Sequence, residues 1–316
     1  MTDDLVRDLP ELDLLVTAAD TALHPWIRQH VPAAARRAAL ADELDFWLNT
    51  AARDPDHARG FAKAAPQIGQ PVSAYLDRWL PLSSGARVLT GPRYLGRDPD
   101  LPFVGIPAAD RALTPDDRAA LIELARAEFA AFAPKFVLLY SAEPVAAWPE
   151  CRSEKRVVVG RIGDLRGLPI DDRLSTRPVS GETGYDAYRA VNDRDRAANP
   201  DRRRWARTED RSDLARLSEQ GMWFDVLVDD QWAGAVAAES DPLHGMRGMV
   251  VQELVLDQRF RGRGYGSQLS QLLARALPVD DDQLLIGTIH ADNVTAYTAA
   301  LRAGRVDVGG EILIPL

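Results

Sequence analysis

The sequence predicts an α/β (α+β) protein in two parts, on three observations. Helical periodicity with alanine-rich stretches runs from Leu12 to about Leu80, strand and helix patterns alternate from about residue 172 onward, and one glycine-rich turn joins a strand to an amphipathic helix. A chain of 316 residues with 46% hydrophobic content is longer than one ordinary core accommodates, so two domains are expected. The division is placed at 171/172: a helix-rich N-terminal domain over 1–171 and an α/β domain over 172–316.

In the first part Leu40, Leu44, Phe46 and Trp47 are spaced for a buried helical face. Between Leu82 and Pro107 glycine and proline are frequent, which predicts turns and a connecting region. Thr114-Pro115-Asp116-Asp117 is a helix start, with a capping hydroxyl, proline in the first turn and acids near the positive end of the dipole. Leu121, Leu124, Ala125, Phe129 and Phe132 follow on one face, and Pro134 ends the helix. Lys135 to Tyr140 and Lys155 to Ile162 read as short buried strands, and Gly163 to Asp172 as a linker.

In the second part Leu174 to Val179 reads as a strand, and Gly184 to Asn199 and Ser212 to Gln220 as helices. Met222 to Val228 and Trp232 to Ala238 form a hairpin around Asp229-Asp230-Gln231. Met249 to Leu256 is the next strand. Leu269, Leu272, Leu273, Ala276 and Leu277 then fall at helical spacing up to Pro278. Leu284 to Ile289 is a strand, Asn293 to Arg302 a helix stopped by Gly304, and Gly310 to Pro315 a last strand.

Composition narrows the function. No stretch reaches the run of about 18 apolar residues that spans a bilayer, and Met1-Thr-Asp-Asp does not open a secretory leader, so a soluble cytoplasmic protein is expected. The single cysteine, Cys151, and five scattered histidines give no metal-ligand spacing, so no metal is expected. A net charge of −9 disfavours nucleic acid and acidic membranes as partners and suits a cationic or neutral acceptor. Lys63, Lys135 and Lys155 are the only lysines, so beyond Lys155 a phosphate must be held by arginine or backbone N–H groups. Arg202-Arg-Arg-Trp-Ala-Arg207 could clamp an anion, although a solvated helix edge is the ordinary outcome of such a run. Trp205, Trp223 and Trp232 could line an acceptor site or pack in the core.

The most informative stretch is Leu254-Val-Leu-Asp-Gln-Arg-Phe-Arg-Gly-Arg-Gly-Tyr-Gly-Ser267, a strand running through a glycine-rich turn into a helix. Glycines 262, 264 and 266 keep side chains away from the backbone, so several N–H groups can converge on a phosphate where the helix dipole adds positive potential. The spacing is neither the dinucleotide G-x-G-x-x-G nor a P-loop. The alternative is a tight turn whose glycines only permit close helix packing.

Arg261-x-x-Gly264-x-Gly266 resembles the [QR]-x-x-G-x-[GA] signature of the GNAT superfamily of acyl-CoA-dependent N-acetyltransferases. Leu254-Val-Leu256, five residues before Arg261, looks like that family's fourth strand, and Asn293 with Gly304 looks like its second signature. The resemblance covers about the last 145 residues. It implies a mixed, mostly antiparallel central sheet, with acetyl-CoA as co-substrate. The CoA pyrophosphate would lie on the backbone of Gly262, Arg263, Gly264, Tyr265, Gly266 and Ser267, beside Arg261. Pantetheine would lie along Leu254, Val255 and Leu256, with Asn293 touching CoA. The thioester carbonyl would meet a backbone N–H near Leu256, a donor that stabilises the oxyanion formed when an amine attacks. The acceptor would be a small-molecule or peptide amine. No covalent enzyme intermediate is implied, since G-x-S-x-G is absent and Cys151 has no recognisable activating partner.

The chain departs from the family pattern where chemistry is expected. The tyrosine that often follows the asparagine by seven residues is Ala300, the glutamate that often precedes it by five is Thr288, and the aromatic after the closing glycine is Arg305. Tyr297, one turn earlier, is the nearest substitute acid, or else a packed aromatic. Glu253 is the candidate base: it adjoins the pantetheine strand and, by alternation, faces away from Leu254, either into the acceptor cleft or into a structural ion pair. His290 could line the acceptor pocket or sit in solvent. Two functions follow: acetyl transfer to an amine in a ternary complex, or acyl-CoA sensing without turnover. The N-terminal domain would then select substrate, or be a degenerate second GNAT half that has lost its glycine loop.

Overall fold

The computed structural model describes residues 8–200 and 208–316. Helices α1 (Leu12–Ala22), α2 (Pro25–His30) and α3 (Ala33–Asp45) come first, then a π-helical turn over Phe46–Ala51 and α4 (Pro55–Ala64). Strands β1 (Arg78–Pro81), β2 (Arg87–Tyr94) and β3 (Pro102–Ala109) lead to α5 (Arg118–Glu128), β4 (Phe136–Ser141), β5 (Arg152–Arg161), α6 (Ile162–Gly167) and β6 (Leu174–Pro178). The chain continues through α7 (Tyr185–Ala198), α8 (Arg211–Glu219), β7 (Trp223–Val228), β8 (Gln231–Leu243) and β9 (Met246–Leu256). It ends with α9 (Leu269–Ala276), β10 (Leu284–His290), α10 (Val294–Arg302) and β11 (Val306–Pro315). Among the described residues no helix is long and apolar enough to cross a membrane.

These elements form two compact units. The first comprises Met1–Lys155, Pro242–Met246 and Val308–Leu316; the second comprises Arg156–Asp241 and Arg247–Asp307. The division therefore falls after Lys155 rather than at 171/172, and short pieces of the C-terminal half belong to the first unit.

In the first unit the strand order is β1-β2-β3-β4-β11. β1–β2 and β2–β3 are antiparallel, β3–β4 is parallel from Phe103↔Phe136 to Ile106↔Leu139, and β11 pairs antiparallel with β4. The expected helix start is present as a capping box: the N–H of Thr114 donates to the Asp117 carboxylate at 2.9 Å, and a short 3₁₀ turn leads into α5. Leu121 and Phe129 carry α5 into a core with Val104, Val137, Trp148 and Ile312.

The helical reading of Leu12 to Leu80 holds as far as Ala64, but the stretch Leu82 to Pro107 is sheet rather than connection. Its glycines serve the sheet. A Cβ on Gly91 would lie 2.0 Å from the buried Asp77 carboxylate, so glycine there makes room for a charge beneath the strand. The register also shifts between Leu89 and Gly91, which breaks the alternation that marks a strand in sequence. The expected linker Gly163 to Asp172 contains α6, whose Ile162 and Leu165 are buried in the core of the second unit. The last strand begins at Val306, four residues earlier than expected, and its end completes the sheet of the first unit.

The second unit has strand order β5-β10-β9-β8-β7-β6. β6–β7 and β7–β8 are antiparallel, and β10 runs parallel to β9, giving the mixed, mostly antiparallel sheet that the resemblance implied. The expected β7–β8 hairpin is present with a turn one residue shorter than read: Asp229 and Asp230 both have positive φ, 48° and 62°, and Val228 pairs with Gln231. One apolar cluster gathers Leu269, Leu272 and Leu273 of α9 with Leu285, Val226 and Phe260. Each such buried leucine contributes about 2 kcal/mol. A second cluster sets Tyr185, Tyr188, Leu214 and Leu217 against Trp223, Ala235 and Ala237.

The two units share a plan. In each, antiparallel strands lead to a strand (β3, β9), then a helix (α5, α9), then a strand parallel to the first (β4, β10).

Candidate acyl-CoA site

The second unit opens its sheet where β9 and β10 part. Their parallel pairing is confined to Met249↔Leu285 and Val250↔Ile286, while the strands run on to Leu256 and His290. The diverging halves put Leu254, Val255 and Leu256 on one side of a slot and His290 at the end of the other. Gly234 on β8 allows the far end of β9 to settle closely: a Cβ there would sit 2.0 Å from the Val255 carbonyl oxygen. The backbone N–H of Asp257 then donates to the Ala233 carbonyl at 2.7 Å.

Beyond Leu256 the loop is fixed by an acid that the sequence reading did not single out. Asp257 is buried, accepts from the Arg259 N–H at 2.9 Å and Nε at 3.1 Å, and receives Arg194 Nη2 at 2.7 Å. Burial opposes its ionisation, but these donors outweigh it and hold the carboxyl below its usual range. The Asp-x-Arg spacing was a readable sign of such a turn; Arg194, 63 residues earlier, was not.

The glycines of the loop answer the question their spacing raised. A Cβ built on Gly262, Gly264 or Gly266 would meet nothing within 4 Å. Close helix packing therefore explains none of them. Gly262 and Gly264 have positive φ, 76° and 84°, a backbone reason for glycine, whereas Gly266 is not among the positive-φ residues. Among the described residues nothing requires residue 266 to lack a side chain. Among the described residues no carbonyl accepts from the N–H groups of Gly262, Arg263 or Gly264. They precede the 3₁₀ turn Tyr265–Gln268 that leads into α9, where the helix dipole adds positive potential.

Side chains around the loop anchor it. Tyr265 is fully buried in the apolar core, and Ser267 Oγ donates to the Gly264 carbonyl at 2.9 Å. Arg261 turns back from the loop: its Nε donates to the Leu256 carbonyl at 2.8 Å and its Nη atoms to Asp195 of α7 at 2.9 and 2.6 Å. Arg263 stands exposed near the Phe260 ring. Of the arginines in the motif, 261 ties the loop to α7 and 263 lies at its surface.

Asn293 is half-buried and caps α10, its side-chain oxygen accepting from the Ala296 N–H at 3.3 Å. Gly304, with φ 87°, closes that helix as expected, the Arg305 N–H donating to Ala300 O at 3.1 Å. Arg305 is buried, and Nη2 donates to the Val158 carbonyl at 2.9 Å. Gly287 provides its space, since a Cβ there would lie 2.2 Å from that nitrogen. His290 Nδ1 accepts from the Asp292 N–H at 3.1 Å.

Glu253 resolves toward the α7–α8 side of the sheet. Its Oε1 accepts a short hydrogen bond from the Tyr188 hydroxyl, which in turn accepts from the Glu209 N–H at 2.9 Å. Burial, only partly offset by the Tyr188 bond, pushes the carboxyl up to about 8. The phenol is likewise shifted upward, by burial and by the neighbouring Glu253 charge. No sequence signal joined Tyr188 to Glu253, which lie 65 residues apart. A carboxyl with this pKa exchanges protons near neutral pH, as a general base must.

Tyr297 is engaged elsewhere. Its hydroxyl donates to Asp307 Oδ2 at 2.6 Å, and Asp307 is held by Arg156 at 2.7 and 2.9 Å. Burial and this bond raise the phenol to about 12. Tyr297→Phe is expected to lower thermal stability by about 1–2 kcal/mol, for a partly buried bond to a charged acceptor, with acetyl-CoA affinity unchanged. A loss of kcat near 10²-fold without loss of stability would instead make Tyr297 the acid.

Other expectations end in packing. Trp223 is in the core and Trp232 donates its indole N–H to Asp225 Oδ1 at 2.9 Å. Trp205 and the basic run 202–207 lie outside the described residues. The Cys151 thiol is shifted upward by burial, the reverse of an activated nucleophile. Among the described residues no group of three or more His, Cys, Asp or Glu side chains could hold a metal ion.

No protein-family model matches the chain, and no curated protein does. Solved structures do show similarity. A tandem GNAT protein from the clavulanic acid biosynthesis pathway is 13% identical, over 99% of this chain and 96% of that one, with a TM-score of 0.48. A GNAT-family acetyltransferase from Colwellia psychrerythraea is 12% identical over 72% of this chain and 85% of its own, TM-score 0.47. A GCN5-related N-acetyltransferase from Sphaerobacter thermophilus is 12% identical over 83% and 92%, TM-score 0.43.

Proposed function

We propose that the second unit binds acetyl-CoA and transfers its acetyl group to an amine by direct attack in a ternary complex. The observation that carries this reading is the loop 262–266: open space at every glycine, with Gly266 lacking any conformational need for one, at the mouth of the slot between β9 and β10. A pyrophosphate lying on that backbone accounts for all three. Arg261 braces the loop against α7, and Asn293 and His290 border the slot from the far side.

Acetyl-CoA supplies the activated acyl group. Glu253 accepts the proton of the incoming ammonium, and Tyr188, bonded to Oε1, keeps that carboxylate oriented. The N–H near Leu256 orients the thioester carbonyl. The acceptor is a small-molecule or peptide amine, in keeping with the acidic chain.

A specific observation favours the second reading, an acyl-CoA sensor: the candidate acid, Tyr297, has its proton bonded to Asp307, and Ala300 is buried. A thiolate leaves readily enough that a missing acid slows turnover without abolishing it. Release of free CoA from acetyl-CoA in the presence of pooled primary amines decides between the two. Amine-dependent release supports transfer; tight acetyl-CoA binding without release supports sensing.

A further inference from the structure

We infer that the first unit is a binding module for an uncharged, largely aromatic small molecule, held in the cavity between its first helices and the end of the β3–β4 pair. The cavity has a volume of about 580 Å³, and its lining residues all belong to this unit. That volume lies within the roughly 300–1,000 Å³ of small-molecule sites. It opens where β3 and β4 stop pairing after Ile106↔Leu139, with Pro107 to Ala109 and Tyr140 on its wall.

The wall is built for flat apolar groups. The π-helical turn, a feature that recurs at functional positions, presents Phe46 and Trp47 to the cavity. Phe46 is 43% exposed, although its ring meets those of Trp47 and His57 edge-on. Phe61 and Phe103 face the same space, and Tyr140 stacks on His244 at 3.9 Å between ring centres.

The charged side chains named here have partners in the same unit, while His57 Nε2, Asp77 Oδ2 and the Tyr94 hydroxyl are buried on this wall with no hydrogen-bond partner among the described residues, an invitation to a ligand with a polar but uncharged group. The guanidinium of Arg93 donates to the buried Asp77 at 2.6 Å and lies 4.8 Å from the centre of the Phe61 ring. Lys155 pairs with Glu311 at 3.6 Å and Arg111 with Asp117 at 2.7 Å. Glu43 accepts from the Gly245 N–H at 3.1 Å. His244 is neutral at physiological pH, because burial and then Lys155 bring its pKa down to about 4. A charged ligand would have to displace one of these pairs; an uncharged ring system displaces none.

Acyl-CoA does not suit this unit. Its segment between β3 and α5, residues 110–117, contains no glycine and carries Asp116 and Asp117 at the helix start, where a pyrophosphate would need positive potential. The unit shares the strand plan of the second, lacks a glycine-rich turn at the corresponding place, and has a cavity of its own.

The test uses the full chain and N-phenylnaphthylamine, an uncharged fluorescent probe. Saturable binding of one probe per chain is expected, undisturbed by saturating acetyl-CoA. Ala22→Trp, on the α1 wall, should fill the cavity and weaken the probe about tenfold or more, and Phe46→Ala should weaken it several-fold. Phe46 is exposed enough that its variant serves if Ala22→Trp fails to fold. Absence of saturable binding, or unchanged affinity in a folded variant, overturns the proposal. So does displacement of the probe by acetyl-CoA with two CoA molecules bound per chain. Because the probe's affinity is first measured without CoA, its absence there leaves the acetyl-transfer reading standing, and the reverse also holds.

Discussion

Gly266→Val is expected to fold with wild-type stability and to bind acetyl-CoA at least about a hundredfold more weakly. Stability should be kept because residue 266 is not in a left-handed conformation and a Cβ there meets nothing within 4 Å. Affinity should fall because the side chain occupies the space through which the backbone N–H groups reach the pyrophosphate. Gly264→Val is the instructive contrast. It also blocks the cradle, but with φ 84° it strains the turn, at a cost of about 1–2 kcal/mol to folding. Calorimetry with acetyl-CoA and thermal unfolding of both variants provide the readout. If Gly266→Val retains wild-type affinity, the loop is not the phosphate site and its glycines need another explanation.

The glycine-rich turn between strand and helix was legible because its determinants are local: three glycines, a strand before them and an amphipathic helix after. The same holds for the Asp229-Asp230 hairpin and the Thr114 capping box, where a few consecutive residues set the geometry. What the sequence concealed depends on distant partners. The strands over 87–109 were hidden by Gly91 and Pro92, and the glycine makes sense only once Asp77 is seen beneath the strand. The brief helix α6 has two core contacts, Ile162 and Leu165, too few to show a period. The orientation of Arg261 toward Asp195, and of Tyr188 toward Glu253, spans 66 and 65 residues. Alternation along β9 limited Glu253 to one face of the sheet, but only the packing of α7 decided what it meets there.

Glu253→Gln should remove the base while keeping the shape of the site. With its pKa near 8, Glu253 is about one-tenth ionised at pH 7 and mostly ionised by pH 9, so kcat/KM of the wild type should bend near pH 8 at saturating acetyl-CoA. An aliphatic amine, with a pKa of about 10.4, is still mostly protonated there and needs an acceptor for its proton. The variant should lose about 10²-fold near pH 8, show no bend at that pH, and keep climbing as the free amine accumulates. Tyr188→Phe removes a bond that favours the ionised carboxyl, so its bend should move to higher pH. Stability supplies an independent check of the same shift. A carboxyl whose pKa is raised by folding is mostly protonated in both states at pH 4; as pH rises toward 8 the unfolded chain releases that proton first, and stability falls. Glu253→Gln lacks this slope, so it should melt above the wild type at pH 8, with the gap closing toward pH 4. Wild-type rates in the variant across pH 6 to 9 would end the role of Glu253 and leave His290 or a water chain as base. An unchanged melting difference across pH would deny the raised pKa itself.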